Sequence, residues 1–128
     1  MKKVFLGGTC AGYDWRKDLI PKLEINYFNP VVDNWTDADR LREIKERQIC
    51  DYVLFVITKD MEGVYSIAEV TDDSNKRPEK TILCVLKDGF TDSQIKSLKA
   101  LESLVKNNGA TVCDTLDEVA EHLNNDNN

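Results

Sequence analysis

The sequence predicts an α/β fold, a five-stranded parallel sheet with helices on both faces in a three-layer sandwich. Three observations predict it. Two apolar runs, Tyr52 to Ile57 and Thr81 to Leu86, are continuous rather than alternating, which suits strands covered on both faces. Segments with apolar residues at helical spacing separate these and three shorter runs. The links are short, and a strand–helix–strand unit closed by short links brings the next strand back parallel.

Each element has a local reason. Lys3-Val4-Phe5-Leu6 forms a first strand ended by Gly7-Gly8. Trp15, Leu19, Ile20 and Leu23 recur at helical spacing between Asp14 and Glu24, and Pro21 kinks that helix or forces its last turn to restart. Ile25 to Phe28 is a second strand, stopped by Asn29-Pro30. Thr36 caps the next helix, with Asp37 and Asp39 at its positive end and Ala38, Leu41, Ile44 and Ile49 as its inward stripe.

The third strand, Tyr52 to Ile57, is followed by a polar link, Thr58 to Gly63. Ser66-Ile67-Ala68-Glu69 then fits a capping box opening a helix that ends near Asp72, before a polar loop from Asp73 to Lys80. After the fourth strand, Thr91 and Gln94 form another capping box for a helix lined by Ile95, Leu98, Leu101 and Val105 and closed by Asn108-Gly109. Ala110 to Cys113 is a fifth strand. Thr115 and Glu118 open a last helix carrying Leu116, Val119, Ala120 and Leu123. The chain reads as one domain over residues 1–128, with 124–128 a frayed tail.

The expected strand order is 2-1-3-4-5, as in flavodoxin-like folds, with a switch point between strands 1 and 3. Ligands bind beyond the carboxyl ends of strands at such a point. Two loops line that crevice, 7–15 and 58–69, and the helix start that follows brings Glu69 to it.

Bulk properties exclude several classes of partner. A net charge of −6 without any Lys/Arg cluster argues against nucleic acid and anionic membrane, and favours a small neutral or cationic ligand. The apolar start is too short for a signal peptide, and no stretch approaches the roughly 18 apolar residues of a membrane span. Cys10, Cys50, Cys84 and Cys113 form no C-x-x-C pair, and with His122 alone there is no zinc spacing. The expectation is a reduced, cytoplasmic protein without metal or other cofactor. His122 is assigned only a favourable charge near a helix C-terminus.

The first loop, GGTCAGYDWR, lacks the Lys of a phosphate-binding P-loop, because Tyr13 stands there, and it lacks G-x-G-x-x-G. Cys10 and Arg16 are spaced C-x5-R after a strand, as in low-molecular-weight tyrosine phosphatases. Asp14 would sit inside that cradle, and no Asp-Pro acid follows, so this reading is the minor one. Gly7, Gly8, Thr9 and Cys10 can instead form a turn that brings backbone close to a ligand or a neighbouring loop.

Glu69 has two readings. It caps its helix through the Ser66 backbone, or, kept ionised at the positive helix end, it attacks an anomeric carbon as in retaining glycosidases. The second reading needs an acid, for which Asp60, Glu62, Glu43 and Glu46 are candidates. Asp14 can accept a sugar hydroxyl, and Trp15, Trp35 and Tyr65 can stack on a planar base, although aromatics are more often core.

KVFLGGTCAGYDWR, NYFNPVVDNW and CDYVLFVITKDMEGVYSIAEV together resemble the nucleoside 2-deoxyribosyltransferase-like family, over about residues 3–86. The resemblance implies that Glu69, in the G-V-Y-S-I-A-E block after Gly63 and with Ser66 among its small residues, is the nucleophile. It implies that Glu43 binds sugar hydroxyls or acts as acid/base. A further acid expected just before the nucleophile falls on Gly63, with Glu62 beside it. The implied activity is cleavage or transfer of the N-glycosidic bond of a 2′-deoxynucleoside or deoxynucleotide, in at least a dimer. The alternatives are a non-catalytic nucleotide-sensing module of the same fold and the Cys10/Arg16 phosphatase.

Overall fold

In the computed structural model, which describes residues 1–125, five parallel strands run in the order β2-β1-β3-β4-β5. They are β1 (Lys3–Gly8), β2 (Asn26–Phe28), β3 (Tyr52–Ile57), β4 (Thr81–Val85) and β5 (Thr111–Cys113). The helices are α1 (Trp15–Leu19), α2 (Asp37–Ile49), α3 (Tyr65–Lys76), α4 (Asp92–Asn107) and α5 (Leu116–Asn125). The predicted α/β sandwich and strand order are both present. None of these helices is long and apolar enough to cross a membrane.

The unbroken apolar runs are explained by the two faces of the sheet. Tyr52, Leu54 and Val56 join Trp15, Leu19, Val119 and Leu123 on one side. Val53, Phe55 and Ile57 join Val70, Leu98 and Val105 on the other. Successive strand residues point to opposite faces, so a strand covered twice has no polar position to spare.

Strand β1 does not stop at Leu6. It continues through Gly7 and Gly8, paired with Phe55 and Val56 of β3. Glycine is required at position 8, where φ is +118° and an added Cβ would lie 2.1 Å from the Val56 carbonyl oxygen. Pro21 acts as expected: α1 ends at Leu19 and a 3-10 turn restarts over Ile20–Lys22 with Pro21 in its first positions.

Both ends of α4 form as read. Thr91 and Gln94 make a reciprocal capping box, and Gly109, at φ +106°, follows the Asn108 cap. Thr36 likewise caps α2, in a box completed by Asp39.

Helices α2 and α3 and the start of the tail also depart from expectation. The inward face of α2 is not Ala38, Leu41 and Ile49, which are exposed, with Ile44 half-buried. It is Glu46 and Arg47, both buried. Their charges are paired, Glu46 with Lys3 at 2.9 Å and Arg47 with Asp73, and pairing is what allows a helix to turn charge inward. Helix α3 runs on to Lys76 rather than ending near Asp72, because Asp73 and Ser74 are buried and bonded instead of belonging to a polar loop. Of the expected frayed tail, Asn124 and Asn125 belong to α5 and Asn124 bonds to Lys22 and Glu24, while 126–128 lie outside the described residues.

Cys50, Cys84 and Cys113 are buried free thiols, and Cys10 is exposed. Burial pushes the Cys84 thiol up to about 12 and those of Cys50 and Cys113 to about 11, so these three stay protonated and inert. His122 lies in the last turn of α5 and meets the Tyr52 ring edge-on, at 6.4 Å between centroids.

Candidate functional site

A cavity of about 280 Å³ opens beyond the carboxyl ends of β1 and β3, at the lower end of the size range of ligand pockets. Gly7 and Gly8 form its floor, and they are glycines because a Cβ there would meet the Phe5 and Phe55 rings or the Val56 backbone. Phe5, Pro30, Val31 and Val32 give it an apolar wall, and Trp35 and Tyr65 stand at its rim with ring centroids 6.5 Å apart. Glu43, from α2, and Glu69, from α3, bring two carboxylates into it.

Glu69 is not a capping residue. Val64 is the N-cap of α3 and makes no side-chain cap bond, so Ser66 is already helical and Glu69 lies one turn further in. At that depth the residue is 7 % exposed rather than held in solvent at the helix end. Burial pushes its carboxyl up to about 7, aided by Glu43 and Asp73 and opposed by Arg47. The expectation of a carboxylate fully ionised at neutral pH is thereby corrected: near pH 7 Glu69 is divided between its two forms. Burial also raises the Glu43 carboxyl, against a hydrogen bond from Trp35 and the charges of Arg47 and Arg16.

Of the residues expected at the site, the structure brings Glu69, Glu43, Gly7, Gly8, Cys10, Trp35, Tyr65 and Ser66 to this one cavity. The others lie off it, each for a definite reason. Trp15 is wholly buried and donates its indole N–H to the Thr9 carbonyl at 2.8 Å, so it packs the core and cannot stack on a ligand. Thr9 is buried too, and its hydroxyl accepts the Thr58 N–H at 3.0 Å, tying the two crevice loops together. Asp14 caps α1 by accepting from the Lys17 N–H.

Asp60 accepts from the Tyr13 N–H and from Lys59, both at 2.9 Å. Those two bonds hold its carboxyl below the usual range and leave it bracing the first loop. Glu62 and Gly63 are exposed and line no part of the cavity. The loop 58–63 supports the site without supplying an acid.

The C-x5-R arrangement makes no phosphate cradle. Arg16 is buried, its Nε and Nη2 donating to the Leu6 carbonyl and its Nη1 to the Thr9 carbonyl, at 2.8–3.0 Å. Its guanidinium also stacks on the Trp15 ring, 4.2 Å from the centroid. The Cys10 thiol points back to the Gly8 carbonyl.

One part of the site escaped the sequence reading. Arg47 lies 3.5 Å from Glu69 Oε2 and is held from behind by Asp73, which is fully buried. A signal for it exists in the spacing. Glu43 and Arg47 are four apart on α2, Glu69 and Asp73 four apart on α3, and such pairs share a helix face.

The parallel sheet, the crevice at its switch point and a buried carboxylate over a glycine floor define an α/β protein with a cavity where open α/β sheets bind ligands. The family model for nucleoside 2-deoxyribosyltransferase-like proteins matches residues 1–88, and the chain belongs to that family. The matched segment contains β1 through β4 and every residue that lines the cavity. A comparison with curated proteins finds no match.

Proposed function

We propose that this protein cleaves or transfers the N-glycosidic bond of a 2′-deoxynucleoside or its 5′-monophosphate, with Glu69 as nucleophile. The observation that carries the reading is the meeting of two carboxylates, Glu69 and Glu43, in one partly apolar cavity at the switch point. In the first step a Glu69 oxygen bonds to C1′ as the C1′–N bond breaks, the electron pair leaving with the base. Glu43, whose carboxyl burial raises above the ordinary range, gives that base its proton. Water or a second base then attacks C1′, releases Glu69 and returns a proton to Glu43.

Trp35 and Tyr65, exposed at the rim, present ring faces to a planar base. Gly7 and Gly8 let the sugar lie close to backbone. No cofactor enters this chemistry. The site is open on the side of Val31, Val32 and Trp35, apolar residues about half exposed, and a second copy of the chain would cover them. The charge balance fits a soluble, cytoplasmic setting.

A second reading, a nucleotide-sensing module, draws support from the Arg47–Glu69 ion pair, which joins α2 to α3 whether or not chemistry occurs. The two readings part on Glu69→Gln, which keeps the shape of the side chain and removes the nucleophile. Incubation with a panel of deoxynucleosides and their monophosphates, followed by chromatography, should give free base with wild type and none with the variant. Equal release by both, or release by neither, contradicts the glycosyl reading.

A further inference from the structure

Behind Glu69 lies a chain of buried opposite charges that a simple nucleophile does not need. Arg47 Nε donates to Asp73 Oδ2 at 3.0 Å and its Nη2 to Asp73 Oδ1 at 2.9 Å, a two-pronged bond that fixes the guanidinium plane. Asp73 is itself fully buried and also accepts from Arg77. The remaining nitrogen of Arg47, Nη1, faces Glu69 Oε2.

We propose that Arg47 is a positioning residue for Glu69, its guanidinium locked by Asp73 so that it holds Oε2 and turns the carboxylate toward the cavity. This rests on the glycosyl-transfer reading. The arrangement is directional. Three bonds on the far side, two to Asp73 and one from Nη2 to Asp72 at 3.1 Å, leave the guanidinium no freedom to follow a moving Glu69. A carboxylate fixed before the substrate arrives loses less freedom in the transition state than one that must be ordered there.

Other charged groups face the same carboxylate. Glu43 stands across the cavity on α2, Arg16 reaches the wall from α1, and Asp73 and Asp72 follow Glu69 on α3. Only Arg47 forms an ion pair with Glu69 among the described residues. Its removal therefore favours the protonated nucleophile, with Glu43 and Asp73 left to act on it.

The test is the pH profile of base release by wild type, Arg47→Gln and Arg47→Lys, with folding followed by circular dichroism. In Arg47→Gln the acidic limb of kcat/KM should move up by about 1–3 pH units, as expected for loss of an opposite charge at this distance. Arg47→Lys should keep the limb near wild type but lower kcat on the plateau by about fivefold or more, because Lys cannot make the fork to Asp73. A purely structural role would lower activity in proportion to the folded fraction at every pH, without moving the limb. A folded Arg47→Gln with an unmoved limb overturns the proposal. Should that variant not fold, Arg47→Lys with a wild-type plateau overturns it. If wild type releases no base, it is the glycosyl reading that fails. The pairing is then judged by ¹³C-carboxyl NMR titration of Glu69 in wild type and Arg47→Lys, where an identical titration curve and chemical shift contradict it.

Discussion

Glu69 concentrates the physics of this molecule in one side chain. Its folded-state pKa, about 7, lies above the ordinary 4.5 because burial removes water from the charged form faster than Arg47 replaces it. The sign of the consequence for stability is fixed by linkage. The folded chain holds this proton more tightly than the unfolded chain, so the stabilisation is whole below about pH 4.5 and is lost as pH rises through about 7. The proposed catalysis runs the other way, since only the ionised form can act as the nucleophile. Base release should therefore climb through pH 7 over the interval in which the denaturation midpoint falls. In Glu69→Gln the midpoint should fall less over that interval, which urea titrations at about pH 5 and pH 8 measure directly.

At the scale of elements, the α2–α3 seam shows why charge patterns mislead a sequence reading. Leu41 and Ile49 look like core residues of α2, yet they are exposed, while Glu46 and Arg47 are buried through partners 43 and 26 residues away. No local pattern announces a partner that distant. The S-x-x-E spacing at Ser66 misled in the opposite direction: it is a real motif in letters, but α3 begins at Tyr65, so those residues fall inside the helix. The boxes at Thr91 and Thr36 form because each Thr does sit in extended backbone before the first turn.

The seam also carries a stability prediction. Asp73→Ala leaves Arg47 with its main partner gone and Arg77 unbalanced, and breaking such a buried pair costs about 3–5 kcal/mol. Denaturant unfolding of the variant should show that loss. A change below about 1 kcal/mol would mean that α2 is held to α3 by other contacts.

Over the whole molecule, architecture was legible and site detail was only partly so, for one physical reason. A strand covered on both faces must be apolar throughout, so β3 and β4 declare themselves, and strand order follows from parallel crossovers and the switch point they create. That logic placed Glu69, Gly7 and Gly8 at one crevice from the chain alone. It could not tell which of Asp14, Asp60 and Glu62 turn away, since that is decided by single backbone N–H groups such as those of Lys17 and Tyr13. Nor could it separate Trp15, a core residue, from Trp35, a rim residue: both are aromatic, and only packing distinguishes them.

The proposed reaction has one requirement above all, a covalent bond between Glu69 and a sugar carbon. Rapid acid quenching of wild type with a 2′-deoxynucleoside, followed by peptide mass mapping, tests that bond most directly. One deoxyribosyl adduct is expected, on the peptide that contains Glu69. Base release with the adduct on another residue, or with none on any peptide, would contradict it.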